Sequence, residues 1–187
     1  MRQPRNMEIK LSTLAVIMGL GIGLPQVYGL LNPKEFAVRV RKFPRSLPVG
    51  VALMLLGTAW FAWYFSQEQV SDFANAKPYL LAAFVAVGVG SCIYVQDFLA
   101  VRGLAVVFLL LAKLMVDTAR WADTDWRLVV VTWAYVLVVG GIWFTIWPWH
   151  LRDLLNWATA NEKRVRVGSA IRLAFGLFVA VLGFTVY

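Results

Sequence analysis

Lys113 and Asp117 stand four residues apart in a strongly apolar stretch, a spacing that sets an ammonium and a carboxylate on one helix face. Such a pair could relay protons or hold an ion, with Asp97 and Arg102 at the far end of the same helix. The simpler expectation is a lysine whose stem snorkels toward the polar boundary beside Trp121, with Asp117 as its partner. The single histidine, His150, lies in Trp147-Pro148-Trp149-His150 and could ligate a pigment or a metal. No carboxylate or thiol neighbours it in sequence, so a polar tip in an aromatic belt is the expected role. One histidine excludes bis-histidine haem ligation, and one cysteine, Cys92, excludes a disulfide framework or a Cys-based zinc site. Cys92 reads as a small packing residue at a helix crossing. The run Gly19-Leu20-Gly21-Ile22-Gly23 lacks the preceding strand and later acid of a dinucleotide site. No nucleophile elbow or phosphate loop is present either, so no catalytic, cofactor or metal residues are expected.

The elements that carry these groups follow from composition. Of the 187 residues 60% are hydrophobic and 15% charged, against roughly 45–50% and about 25% in soluble domains. That surplus of apolar surface demands a lipid solvent. A spanning helix needs about 20 mostly apolar residues, and six runs qualify: 11–31, 47–65, 78–95, 99–116, 128–147 and 169–187. The alternating pattern of a membrane barrel is absent, so the fold expected is all-α and multi-pass. Arg2, Arg5 and Lys10 before the first run resemble a signal peptide, but Leu24-Pro25-Gln26-Val27-Tyr28-Gly29 offers no small-x-small cleavage site, so a retained span is expected.

Positive charge orients the spans. Linker 32–46 holds Lys34, Arg39, Arg41, Lys42 and Arg45, and linker 148–168 holds Arg152, Lys163, Arg164 and Arg166. Segment 67–77 sets Glu68 and Asp72 against Lys77, and segment 117–127 is similarly mixed. The positive-inside rule then places both basic linkers in the cytoplasm and both termini on the outer side of a cell membrane. The basic N-terminus runs against this, and a first segment that stops short of crossing would reconcile it.

The chain reads as one membrane domain of three helical hairpins, about 11–65, 78–116 and 128–187. The outer two share a design of span, proline, basic amphipathic linker and glycine-punctuated span. In the first linker Phe36, Val40 and Phe43 share a face beside Arg39, Arg41 and Lys42. In the last, Leu151, Leu154, Leu155 and Ala158 oppose Arg152, Asn156, Thr159 and Lys163. Such helices lie in the interface, basic side toward anionic head groups, which assigns Arg39, Arg41, Lys42, Arg152, Lys163, Arg164 and Arg166 to lipid. The net charge of +8 is therefore a matter of topology and anionic lipid, not nucleic acid, since no soluble segment is large enough for such a module.

The motifs Trp147-Pro148-Trp149-His150-Leu151-Arg152, Arg164-Val165-Arg166-Val167-Gly168 and Gly176-Leu177-Phe178…Gly183 resemble the small two-helix bacterial inner-membrane proteins of the YjeT type. The resemblance covers less than a third of the chain and implies a bacterial inner-membrane setting without a mechanism.

Small residues recur every four positions: Ala15, Gly19 and Gly23; Ala82, Ala86 and Gly90; and Gly176 with Ala180. In lipid such stripes let helix backbones approach, within the chain or against a partner. The function expected is a structural or accessory subunit packing in a larger membrane complex. A small oligomeric transporter or channel is the alternative, resting on a helix broken near Pro25.

Overall fold

The computed structural model describes residues 10–68 and 75–187, so Asp72 lies outside the described residues. Every regular element among them is helical: α1 (Leu11–Leu31), α2 (Pro33–Lys42), a 3-10 turn (Phe43–Arg45), α3 (Leu47–Gln67), α4 (Lys77–Tyr94), α5 (Leu99–Ala119), α6 (Arg127–Ile146), α7 (Trp149–Ala158) and α8 (Glu162–Thr185). All but α2 and α7 are long and apolar enough to cross a membrane. The protein is thus an all-α, multi-pass chain with six candidate spans.

Local chemistry explains the boundaries. Pro33 opens α2, while Pro48 and Pro78 are second residues of α3 and α4, where a missing N–H costs nothing. Asn161 caps α8 by accepting the Arg164 N–H at 2.8 Å, so the helix starts well before the apolar run and takes in Lys163, Arg164 and Arg166. Several helix ends are closed by a cation from the next helix. Lys77 Nζ donates to Ser66 O and Glu68 O at 2.6 and 2.9 Å. Arg164 Nη1 donates to Trp157 O at 3.3 Å, and Arg127 Nη1 reaches Arg120 O, just past the end of α5, at 3.4 Å and the loop carbonyl Ala122 O at 3.0 Å. Carbonyls at a helix C-terminus carry partial negative charge and lack intrahelical donors, so each cation satisfies both needs.

Helix α1 runs unbroken through Pro25, which removes the broken-helix argument for a transporter. Its 21 residues reach about 31 Å, enough to cross.

The chain divides into two compact units. The first comprises Met1–Val40, Ala112–Val136 and Asn156–Tyr187. Here α1 packs along α8: Gly183 lies against Ser12 and Val16, Gly176 against Gly19 and Gly23, and Ser169 against Gly29. This order makes the pair antiparallel. It joins the first span to the last, elements that the hairpin reading assigns to separate hairpins. Trp133 of α6 packs on Phe175 at 5.0 Å between ring centres, and the Tyr187 hydroxyl donates to Trp126 O at 2.6 Å.

The second unit comprises Arg41–Leu111 and Leu137–Leu155. Gly50 rests on Leu99 and Ala100, Gly103 on Leu53 and Met54, and Gly57 on Val106, so α3 and α5 run parallel. Helix α4 returns antiparallel to α3, with Gly88 on Thr58 and Phe84 edge-on to Phe61 and Phe65. Gly141 of α6 meets Ala105 and Leu109 of α5. Below that contact Val101, Ala105, Phe144 and Leu151 form a buried cluster, flanked by Phe43, Phe98 and Leu155.

Candidate functional site

The glycines of α1 and α8 bring two backbones into direct contact. A Cβ at Gly19 would stand 2.5 Å from Gly176 O and 2.6 Å from Ala180 N. A Cβ at Gly176 would stand 2.6 Å from Gly19 O and 2.8 Å from Gly23 N. Ala15 and Ala180 are buried on the same seam. The structure thus brings Ala15, Gly19 and Gly23 together with Gly176 and Ala180. Sequence spacing places these residues on faces, but does not say that the two faces meet each other.

The stripe on α4 is placed differently. Ala82 and Ala86 are exposed, Gly90 is half-buried, and a Cβ at Gly90 would meet nothing within 4 Å. The helix uses Gly88 instead, where a Cβ would collide with Thr58. A single glycine one helix face away gives no periodic signal, which is why the sequence pattern passes over it. Cys92 lies half-buried next to this crossing, with its thiol 3.5 Å from Gly88 O.

Lys113 Nζ lies 2.7 Å from Asp117 Oδ2, with both side chains about half exposed. Ser169 Oγ is buried against Gly29 without a hydrogen-bond partner, whereas four other hydroxyls in the spans are turned back on their own helices: Thr58 donates to Met54 O, Ser91 to Val87 O, Thr145 to Gly141 O and Thr185 to Val181 O. Each satisfies the hydroxyl without reaching a neighbour.

At the basic ends the linkers form the two short helices expected. In α2 Phe36 and Val40 turn inward, Arg39 lies over the Tyr28 ring at 5.0 Å, and the Tyr28 hydroxyl donates to Glu35. Lys34 Nζ reaches Glu162 at 3.4 Å, tying the start of α2 to the start of α8. Arg41, Lys42, Lys163 and Arg166 are all exposed. Arg172, the eleventh residue of α8, turns its guanidinium back toward Gly168, within 4.0 Å of where a Cβ there would stand.

Helix α7 is rotated relative to the sequence reading. Leu151 and Thr159 are buried and Leu155 is half-buried, whereas Leu154 is 50% and Trp157 63% exposed. Leu154 therefore leaves the inward face, because the cluster around Phe144 accepts Leu151 and Leu155 a turn apart. Arg152 pairs with Asp153 and lies 6.0 Å above the Phe98 ring. His150 is walled by Trp143, Trp147 and Trp149, with ring centres 5.5, 5.8 and 5.8 Å away. Its Nδ1 and the Nε of Arg102 are buried without a hydrogen-bond partner. Phe98, just before α5, has a positive φ of 54°, strained for a bulky side chain. No group of three or more metal-ligating side chains occurs among the described residues.

No protein-family model, curated protein or solved structure matches the chain.

Proposed function

We propose that the protein is a non-catalytic structural or accessory subunit of a larger membrane complex, docking a partner helix on α4. The carrying observation is the uncovered small-residue face Ala82–Ala86–Gly90, open at Gly90, on a helix whose other glycine is filled by Thr58. Lipid tails pack poorly into a groove of glycine and alanine, whereas a second helix fills it with dispersion contacts. The local use of the span hydroxyls supports the same reading, since Thr58, Ser91, Thr145 and Thr185 already satisfy their donors. The setting proposed is the bacterial inner membrane, with the basic linkers in the cytoplasm, where they face anionic lipid, and both termini outside.

A Gly90→Cys variant on a Cys92→Ser background tests this by thiol cross-linking in native membranes. The expected product joins this chain to a different membrane protein and disappears with Ala86→Leu. A product of twice the chain mass would make α4 a self-association face, as an oligomeric channel requires. No product at all would refute docking on α4.

A further inference from the structure

We propose that the basic end of the second unit holds a discrete site for the phosphodiester of an anionic phospholipid, formed by Arg102, His150 and Arg152. This goes beyond diffuse attraction of the linkers to a charged surface, and it does not depend on the accessory-subunit reading. At this end α5 begins, α6 ends and α7 begins, and each junction supplies part of the site. Arg102 lies one turn beyond Phe98 on the stripe that continues to Ala105 and Leu109, both of which meet Gly141 of α6. It therefore faces the end of α6 and the start of α7, where His150 and Arg152 sit. Side chains in a helix lean toward its N-terminus, which for Arg102 is the basic end. Arg152 reaches the same place from α7, over the Phe98 ring.

Two side-chain nitrogens here lack partners, and that of Arg102 is a donor. Arg102 Nε and His150 Nδ1 are buried with no hydrogen-bond partner, and a buried guanidinium nitrogen without an acceptor is costly. The protein offers little to fill the need. This end of the unit carries Arg41, Lys42, Arg45, Arg102 and Arg152 against Asp97 and Asp153, and Asp153 is bound to Arg152. The helix ends add positive potential. α3 and α5 are parallel and touch where Gly50 meets Ala100 N, so two N-termini lie side by side. The missing partner is thus an anion with several acceptor oxygens. Trp147 and Trp149, each 44% exposed, flank it with the amphipathic rings that settle at head-group depth. A phosphate arriving at that depth comes with acyl chains, and exposed apolar surface on α6 such as Ile142 and Ile146 lies beside it to receive them.

The test uses delipidated full-length protein in mild detergent and native mass spectrometry. It titrates phosphatidylglycerol, phosphatidylcholine and inorganic phosphate. The expected result is one tightly held phosphatidylglycerol, preferred about tenfold over phosphatidylcholine. Arg102→Gln should lose about that tenfold preference, Arg102→Lys should keep most of it, and Arg120→Gln, in the other unit and outside the basic linkers, should match wild type. Arg152→Gln, a half-buried position, carries the test if Arg102→Gln fails to fold. Equal lipid binding by wild type and the Arg102→Gln or Arg152→Gln variant would overturn the site. Displacement of lipid by millimolar phosphate, with phosphate retained in its place, would overturn the lipid assignment and leave an oxyanion site.

Discussion

Replacing Gly19 by alanine adds one methyl group at the tightest point of the α1–α8 seam. That methyl would sit 2.5 Å from Gly176 O, 2.6 Å from Ala180 N and 2.9 Å from Ala180 Cβ. The first two are atoms of a rigid helix and cannot rotate away. An ordinary van der Waals contact begins at 3.4 Å, so the helices must separate by roughly half an ångström to an ångström at this level. A gap of that size forfeits about a quarter to a half of each neighbouring dispersion contact. Overpacking of this kind costs about 1–3 kcal/mol, and leucine at the same position costs more. Gly21→Ala is the matched control, because nothing lies within 4 Å of its Cβ while helix propensity and hydrophobicity change equally. Thermal unfolding in mild detergent is the assay, at about 2–4 °C per kcal/mol for a chain of this size. Gly19→Ala should melt several degrees below Gly21→Ala. Combining it with Ala180→Gly should recover only part of the loss, since the contacts to Gly176 O and Ala180 N remain. Identical melting of Gly19→Ala and Gly21→Ala would show that the seam does not carry stability.

The crossing of α3 and α4 should behave similarly: Gly88→Ala destabilises by about 1–3 kcal/mol, and Thr58→Ala relieves part of it. A double-mutant cycle with zero coupling would place the two residues apart. Lys113→Met should change stability by less than about 1 kcal/mol, because the Lys113–Asp117 pair is half exposed and within one helix. A loss of about 3–5 kcal/mol, restored by Asp117→Asn, would instead reveal a buried pair. Arg127→Met removes the donor to Arg120 O and Ala122 O and should cost about 1 kcal/mol, read as faster amide exchange in the loop between α5 and α6. For topology, cysteines at Lys42 and Glu162 should label from the cytoplasmic side and one at Thr124 from the other; labelling of all three from one side would refute six crossings.

Much of the architecture was legible in the chain because bilayer thickness is a strong constraint. A helix that must satisfy its own backbone across about 30 Å of hydrocarbon declares itself as an apolar run bounded by proline or charge. Hence 11–31 and α1 coincide, and 47–65, 78–95, 99–116 and 128–147 differ from their helices by no more than a few residues. The early start of α8 escaped because a hydrogen bond from Arg164 N–H to Asn161 sets it, not apolarity. The amphipathic character of α2 and α7 was likewise written in local periodicity.

Partnership was not. Spacing showed that Gly19 and Gly23 share a face, and that Ala82, Ala86 and Gly90 share another, in the same visible pattern. Only the fold distinguishes them: the first is filled by Gly176 and Ala180, whereas the second stays open and Gly88 makes the contact. The rotation of α7, which turns Leu155 inward and Leu154 outward, depends on the shape of the cluster around Phe144. The placing of Arg152 over Phe98, on which the proposed phospholipid site draws, likewise depends on how the ends of α5, α6 and α7 pack. The physical reason is common to all three. Inside a bilayer lipid and protein are equally apolar, so a sequence encodes insertion by composition, and the choice of neighbour rests on close-range shape, which exists only once the helices have packed.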